Sequence, residues 1–156
     1  MFSYIEEVDA AKFPKHEPLP GHPDPNSVQY ISNAEELTVG DHILYLTTRP
    51  KYRKVFHSGL VAGTTGQLVE YITNEEEGVV RKSCLFCKMQ GLHRVKYSEC
   101  RYSIEESLER AEMRINETYY HSLNNNSHHF VTWCKTGKEY PLMDISSFLE
   151  SIEGDH

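Results

Sequence analysis

The stretch Asn124-Asn125-Asn126-Ser127-His128-His129-Phe130-Val131-Thr132-Trp133-Cys134-Lys135-Thr136-Gly137 holds the residues of this chain best placed to do chemistry. A serine hydroxyl sits at a polar-to-apolar boundary where a helix should begin, at or just after Asn126. Phe130, Trp133 and Cys134 form the apolar face of that helix, and Gly137 supplies its stop. A helix amino terminus carries roughly half a positive charge and several amides without intrahelical partners, so it favours a nucleophile that becomes negative. Serine at such a point is equally suited to a plain N-terminal cap. His128 and His129 project about 100° apart around the helix, so at most one can face the same site as Ser127, and His128 reads as solvated.

A second group has ligand spacing. Cys84-Leu85-Phe86-Cys87 is a CxxC pair, with His93 and Cys100 following, which raises a zinc knuckle or a redox pair. Its flanks, Val79-Val80-Arg81-Lys82-Ser83 and Leu92-His93-Arg94-Val95-Lys96-Tyr97, read as strands. A buried free thiol filling a strand or hairpin is therefore the preferred reading, and metal binding by Cys84, Cys87 and His93 is left open.

These residues need a scaffold, and the chain has three parts: a Pro-rich arm over 1–36, a domain over 37–138 and a tail over 139–156. The arm carries Pro14, Pro18, Pro20, Pro23 and Pro25, a density that blocks helix and central strand alike. From Leu37 the pattern changes. Leu37-Thr38-Val39-Gly40-Asp41-His42 is a turn feeding the strand Ile43–Leu46, and short apolar runs recur at 55–62, 67–73, 78–86 and 92–97, punctuated by clusters such as Gly63-Thr64-Thr65-Gly66. Ser103 and Glu106 form a capping box, and Ile104, Leu108, Ala111 and Ile115 continue at helical spacing to about Thr118. Strands followed by helices predict an α+β domain: an antiparallel meander of about five strands packed against two or three helices.

The nucleophile stretch resembles that of the lecithin:retinol acyltransferase (LRAT)-like proteins, a permuted branch of the NlpC-type papain-like fold, in which Asn-Cys-Glu-His-Phe opens a helix. Here Ser127 stands in place of the cysteine and His128 in place of the glutamate, while His129 matches the family histidine and is expected to be structural. The resemblance extends to Val39-Gly40-Asp41-His42-Ile43 and to Phe56-His57-Ser58-Gly59-Leu60-Val61-Ala62-Gly63. It implies that His57 is the general base. The family's second histidine falls on Gln67-Leu68-Val69-Glu70-Tyr71, where Glu70 replaces it as the orienting group. Tyr120, seven residues before the nucleophile, takes the place of a tyrosine associated with the family's active site. The implied activity is acyl transfer or hydrolysis of lipid esters through a covalent acyl-enzyme, with no metal or organic cofactor. An amidase or protease is the weaker alternative, since the wider papain-like group cleaves amides.

Serine changes the chemistry. A thiol at a helix terminus beside an imidazole is a standing thiolate, whereas a hydroxyl stays protonated near neutral pH and must lose its proton to His57 during attack, with an acid behind the imidazole to stabilise its charge. Ser127, His57 and Glu70 would then form a Ser-His-Glu constellation. Two other origins of Ser127 stand beside catalysis: a domain that has lost its chemistry and acts as a binding or scaffolding module, or a cysteine deliberately replaced. Departure at Glu70 as well favours natural divergence.

Composition narrows the partners. Sixteen Lys and Arg against 23 Asp and Glu give a formal charge of -7, which disfavours nucleic acid. A lipid or acyl substrate is expected, or a protein partner if the domain is inactive. The amino terminus lacks a signal-peptide pattern and no apolar run reaches the roughly 20 residues of a membrane span, so the expected location is cytoplasmic, with peripheral membrane contact allowed. In the tail, Ile145, Phe148, Leu149 and Ile152 predict one short amphipathic helix without basic residues on its polar face, suited to packing on protein rather than on lipid.

Overall fold

The computed structural model describes residues 23–49, 53–74, 76–84, 90–97, 100–140 and 142. The predicted tail helix and Cys87 lie outside them. Six strands form one antiparallel sheet: β1 (Pro23–Tyr30), β2 (His42–Arg49), β3 (Arg53–Val61), β4 (Gln67–Thr73), β5 (Gly78–Cys84) and β6 (His93–Tyr97), in the order β1-β6-β2-β3-β4-β5. Two helices follow, α1 (Ile104–Met113) and α2 (Ser127–Thr136). The α+β class is as expected. The meander holds for β2 to β5, after which the chain crosses back and β6 pairs with β2.

The sixth strand comes from the Pro-rich arm. Pro23–Tyr30 pairs with β6, and the register shifts between Pro23 and Val28. Proline removes ladder donors, so it is tolerated here only because β1 lies at the sheet edge.

Strand alternation sorts the core into two faces. Leu60, Val69, Tyr71 and Val80 meet Ala111 of α1 and Phe130, Val131 and Cys134 of α2. On the opposite face Ile43, Tyr45, Val61 and Leu68 pack with Ile31 and Leu92. Phe130 is fully buried with its ring edge-on to Tyr71, so it fixes α2 to β4.

Local chemistry ends the helices where the side chains require. The Ser103–Glu106 capping box starts α1, but the helix stops at Met113 rather than near Thr118. Asn116 takes a left-handed conformation at φ 75°, tolerated by asparagine better than by most residues. The turn lets the Asn116 amide donate to the Val80 carbonyl at 2.8 Å and the Val80 amide to the Glu117 carbonyl at 3.1 Å. Main-chain bonding to the outer strand β5 thus replaces the last helical turn.

His93 sits between the edges of Tyr30 and Phe56. Burial pushes its pKa down to about 4 against a partial lift from the Gly91 carbonyl, and its Nε2 has no partner among the described residues. Its folded pKa is lowered, so the stability tied to neutral His93 is complete above about 6.5 and is lost as the pH falls toward about 4. His93→Phe is expected to cut the loss of unfolding free energy over that window by about 3 kcal/mol, measured by urea titrations at several pH values. An unchanged slope would show that His93 titrates normally in the folded chain.

Candidate active site

Glu70 is the best-buried charged group of the site, 1% exposed on a strand whose neighbours Leu68, Val69 and Tyr71 are buried too. An isolated carboxylate in such a place would be costly. Three donors offset that cost: His57 Nε2 lies 3.1 Å from Oε1, the Tyr45 hydroxyl also donates to Oε1, and the Ser83 hydroxyl donates to Oε2. Burial raises the Glu70 pKa, but the bonds and charge of His57 and the hydroxyls of Ser83 and Tyr45 win and hold it at about 2.

Register assembles this group. Tyr45 of β2 stands directly opposite His57 of β3, with ring centroids 5.3 Å apart. Leu68, two residues before Glu70, stands opposite Ser83 of β5. Tyr45 and Ser83 escape motif reading because both come from cross-strand pairing.

The ladder between β3 and β4 is confined to Leu60–Val69 and Val61–Leu68, whereas β2 and β3 pair along eight positions. Where β4 leaves β3, the Ser58 amide donates to Ser127 Oγ at 3.1 Å. That amide belongs to the peptide joining Ser58 to His57, so the first residue of α2 meets the strand at the histidine. Ser127 itself is 5% exposed.

Asn126, not Ser127, caps α2. Its side chain accepts from the amides of His128 and His129, while the Asn126 amide donates to His129 Nδ1 at 3.1 Å. The reading of Ser127 as a cap is therefore corrected, since its hydroxyl is turned to the sheet. His129 has the structural role expected of it. His128 corrects the expectation of a solvated residue: it is 7% exposed, with Nδ1 2.6 Å from Ser58 Oγ. The loop before the helix is held by Asn125, which donates to the Tyr119 carbonyl at 2.8 Å, and by Asn126, which donates to the Ser122 carbonyl at 3.1 Å.

His57 and Glu70 are in contact, and Ser127 Oγ is held on the amide of Ser58, the residue after His57. Tyr120 goes elsewhere, its ring edge-on to Tyr71 at 5.6 Å and close against Gly78, and the tyrosine in contact with the histidine is Tyr45. Cys84 is exposed, which corrects the expectation of a buried filler. Three strands lie between β5 and β6, placing Cys84 and His93 on the order of 19 Å apart at the usual strand spacing, too far to share a metal. Among the described residues no cluster of three or more potential ligands occurs, and no helix is long and apolar enough to cross a membrane.

The family model for lecithin retinol acyltransferase matches residues 35–140. The chain belongs to the LRAT family. That match takes in every residue of the site, from Tyr45 to His129. Comparison with curated proteins and with solved structures gives no match. LRAT membership carries an acyltransferase or phospholipase type of function.

Proposed function

We propose that this LRAT-family domain transfers or hydrolyses acyl groups of lipid esters through an acyl-enzyme on Ser127, with His57 as general base and Glu70 as the acid that orients it. The observation that carries this reading is the buried His57 Nε2–Glu70 Oε1 contact of 3.1 Å beside the peptide that holds Ser127 Oγ. The two departures from the family pattern make chemical sense together. A thiolate needs only an imidazolium beside it, but a hydroxyl needs a base whose positive charge is stabilised as it forms, and a carboxylate does this where a second histidine does not.

The proton path follows from the ring. Nε2 is turned to Glu70, which leaves Nδ1 to take the Ser127 proton as Oγ bonds to the ester carbonyl carbon. The tetrahedral oxyanion collapses, the ester C–O bond breaks and the departing alcohol takes the proton from His57. Water or an acceptor hydroxyl or amine then attacks the acyl-serine as His57 takes its proton, the acyl–Oγ bond breaks, and His57 returns the proton to Ser127 Oγ. The Asn126 side chain occupies the amides of His128 and His129, so the Ser127 amide is the first-turn donor left for the oxyanion.

The test is covalent. A fluorophosphonate probe should label Ser127 in the folded chain at neutral pH, and His57→Ala should abolish labelling. Absence of labelling would favour the second reading, an inactive binding module, in which the Ser58–Ser127 hydrogen bond only docks α2 on the sheet.

A further inference from the structure

We propose, resting on the reading of Ser127 as the nucleophile, that Tyr97, His42 and Ser58 form a buried positioning network ending on His128, which clamps the first turn of α2 to β3 and fixes the tautomer of His128. Ser58 follows His57 along β3, so their side chains leave opposite faces of the strand, and the network shares no side chain with the His57–Glu70 pair. Tyr97 Oη lies 2.6 Å from His42 Nδ1, His42 Nε2 lies 2.8 Å from Ser58 Oγ, and Ser58 Oγ lies 2.6 Å from His128 Nδ1. His42 and Ser58 are 0% exposed.

Ser58 is the pivot, since its main chain holds Ser127 and its side chain holds His128. Two consecutive residues of α2 are thereby tied to one residue of β3, the neighbour of His57. A single hydrogen bond lets the helix end swing, but two anchors from one strand residue fix both its distance and its rotation, on which nucleophile-to-base alignment depends.

The hydrogen-bond inventory gives the network a direction. A phenol has one proton to donate, and among the described residues the Tyr97 hydroxyl has His42 Nδ1 as its hydrogen-bond partner. Tyr97 therefore donates to Nδ1, His42 donates from Nε2 to Ser58 Oγ, and Ser58 donates to His128 Nδ1. Each step is consistent with a neutral His42. Burial, His128 and Lys135 all push its pKa well below the usual value, and the Lys135 ammonium, 5.5 Å from the Tyr97 ring centre, supplies a nearby positive charge. The outcome is one tautomer for both rings, with Nδ1 bare and Nε2 protonated.

The test has a spectroscopic arm and a functional arm, both on the full chain. Long-range proton–nitrogen correlation spectra with isotope-labelled histidine should show His42 and His128 protonated at Nε2 only. Ser58→Ala should shift the His128 Nδ1 signal while leaving that of His129. Protonation at Nδ1 in both rings, or the averaged signals of freely exchanging imidazoles, would overturn the assignment. In the functional arm the labelling rate of Ser127 is compared in His128→Asn, whose amide oxygen can accept in place of Nδ1, and His128→Leu, which cannot accept. Asn should stay near the unsubstituted rate, and Leu should fall about tenfold or more. Equal rates in the two variants would remove the positioning role. If Ser127 proves unreactive, the same pair is read in the Ser127→Cys background by thiol alkylation, so failure of serine catalysis and failure of the network remain distinguishable. Should His128→Leu not fold, the tautomer spectrum of the unsubstituted protein decides alone.

Discussion

Cysteine at position 127 should react with iodoacetamide about tenfold or more faster than free cysteine at pH 6, with a rate that changes little from there to pH 9. The site already has what a thiolate needs. Residue 127 opens a helix, its side-chain atom accepts from the Ser58 amide at 3.1 Å, and the neighbouring imidazole is backed by Glu70. Cys134 on the same helix is the internal control, because burial pushes its thiol up to about 12 despite Arg114, Arg110 and Lys135. Mass spectrometry should find position 127 modified and Cys134 untouched. A rate that climbs tenfold per pH unit, as for an ordinary thiol, would mean that His57 does not act on this position.

Alanine at position 70 should be the most damaging single change for stability, about 3–5 kcal/mol by analogy with other buried pairs that lose one partner. The carboxylate is the common acceptor for His57, Tyr45 and Ser83, so its removal leaves two buried donors and the half-buried Ser83 hydroxyl without it and opens a cavity. Against a total stability of about 5–15 kcal/mol for a domain of this size, that loss is large. Glu70→Gln keeps an acceptor oxygen but turns an NH₂ toward one of the hydroxyls, so an intermediate loss is expected, along with loss of Ser127 labelling. Because the folded pKa of Glu70 is lowered from 4.5 to about 2, its stabilisation is complete above about 4.5 and fades as the pH falls toward 2. Urea titrations of the three proteins at pH 7 check the order, and a Glu70→Ala cost below about 1 kcal/mol would refute the shared-acceptor arrangement.

Local signals made much of the framework legible. Ser103 with Glu106, Asn126 and the left-handed Gly137 mark helix ends through bonds that span a few residues, and alternation exposed the strands β2 to β6. What was hidden depends on residues far apart in the chain. Pro23–Tyr30 became a strand only because β6 offers an edge. His128 looked solvated until Ser58, 70 positions earlier, was placed against it. Tyr45 carries no motif and enters the site by register alone. Serine's frequency at helix caps suggested the wrong role for Ser127, because the asparagine before it takes that role.

The interruption of the β3–β4 ladder also bears on the order in which the molecule is built. His57 and Glu70 are 13 positions apart in one hairpin, so they can meet as soon as β3 and β4 form, whereas Ser127 must close a separation of 69 positions to reach the Ser58 amide. Nearby contacts form early and distant ones late. On the roles proposed above, a chain still emerging from synthesis, or one that has formed its sheet without docking α2, would hold His57 and Glu70 paired with no nucleophile beside them. Under that mechanism, chemical competence waits for α2 to dock on the strand beside His57.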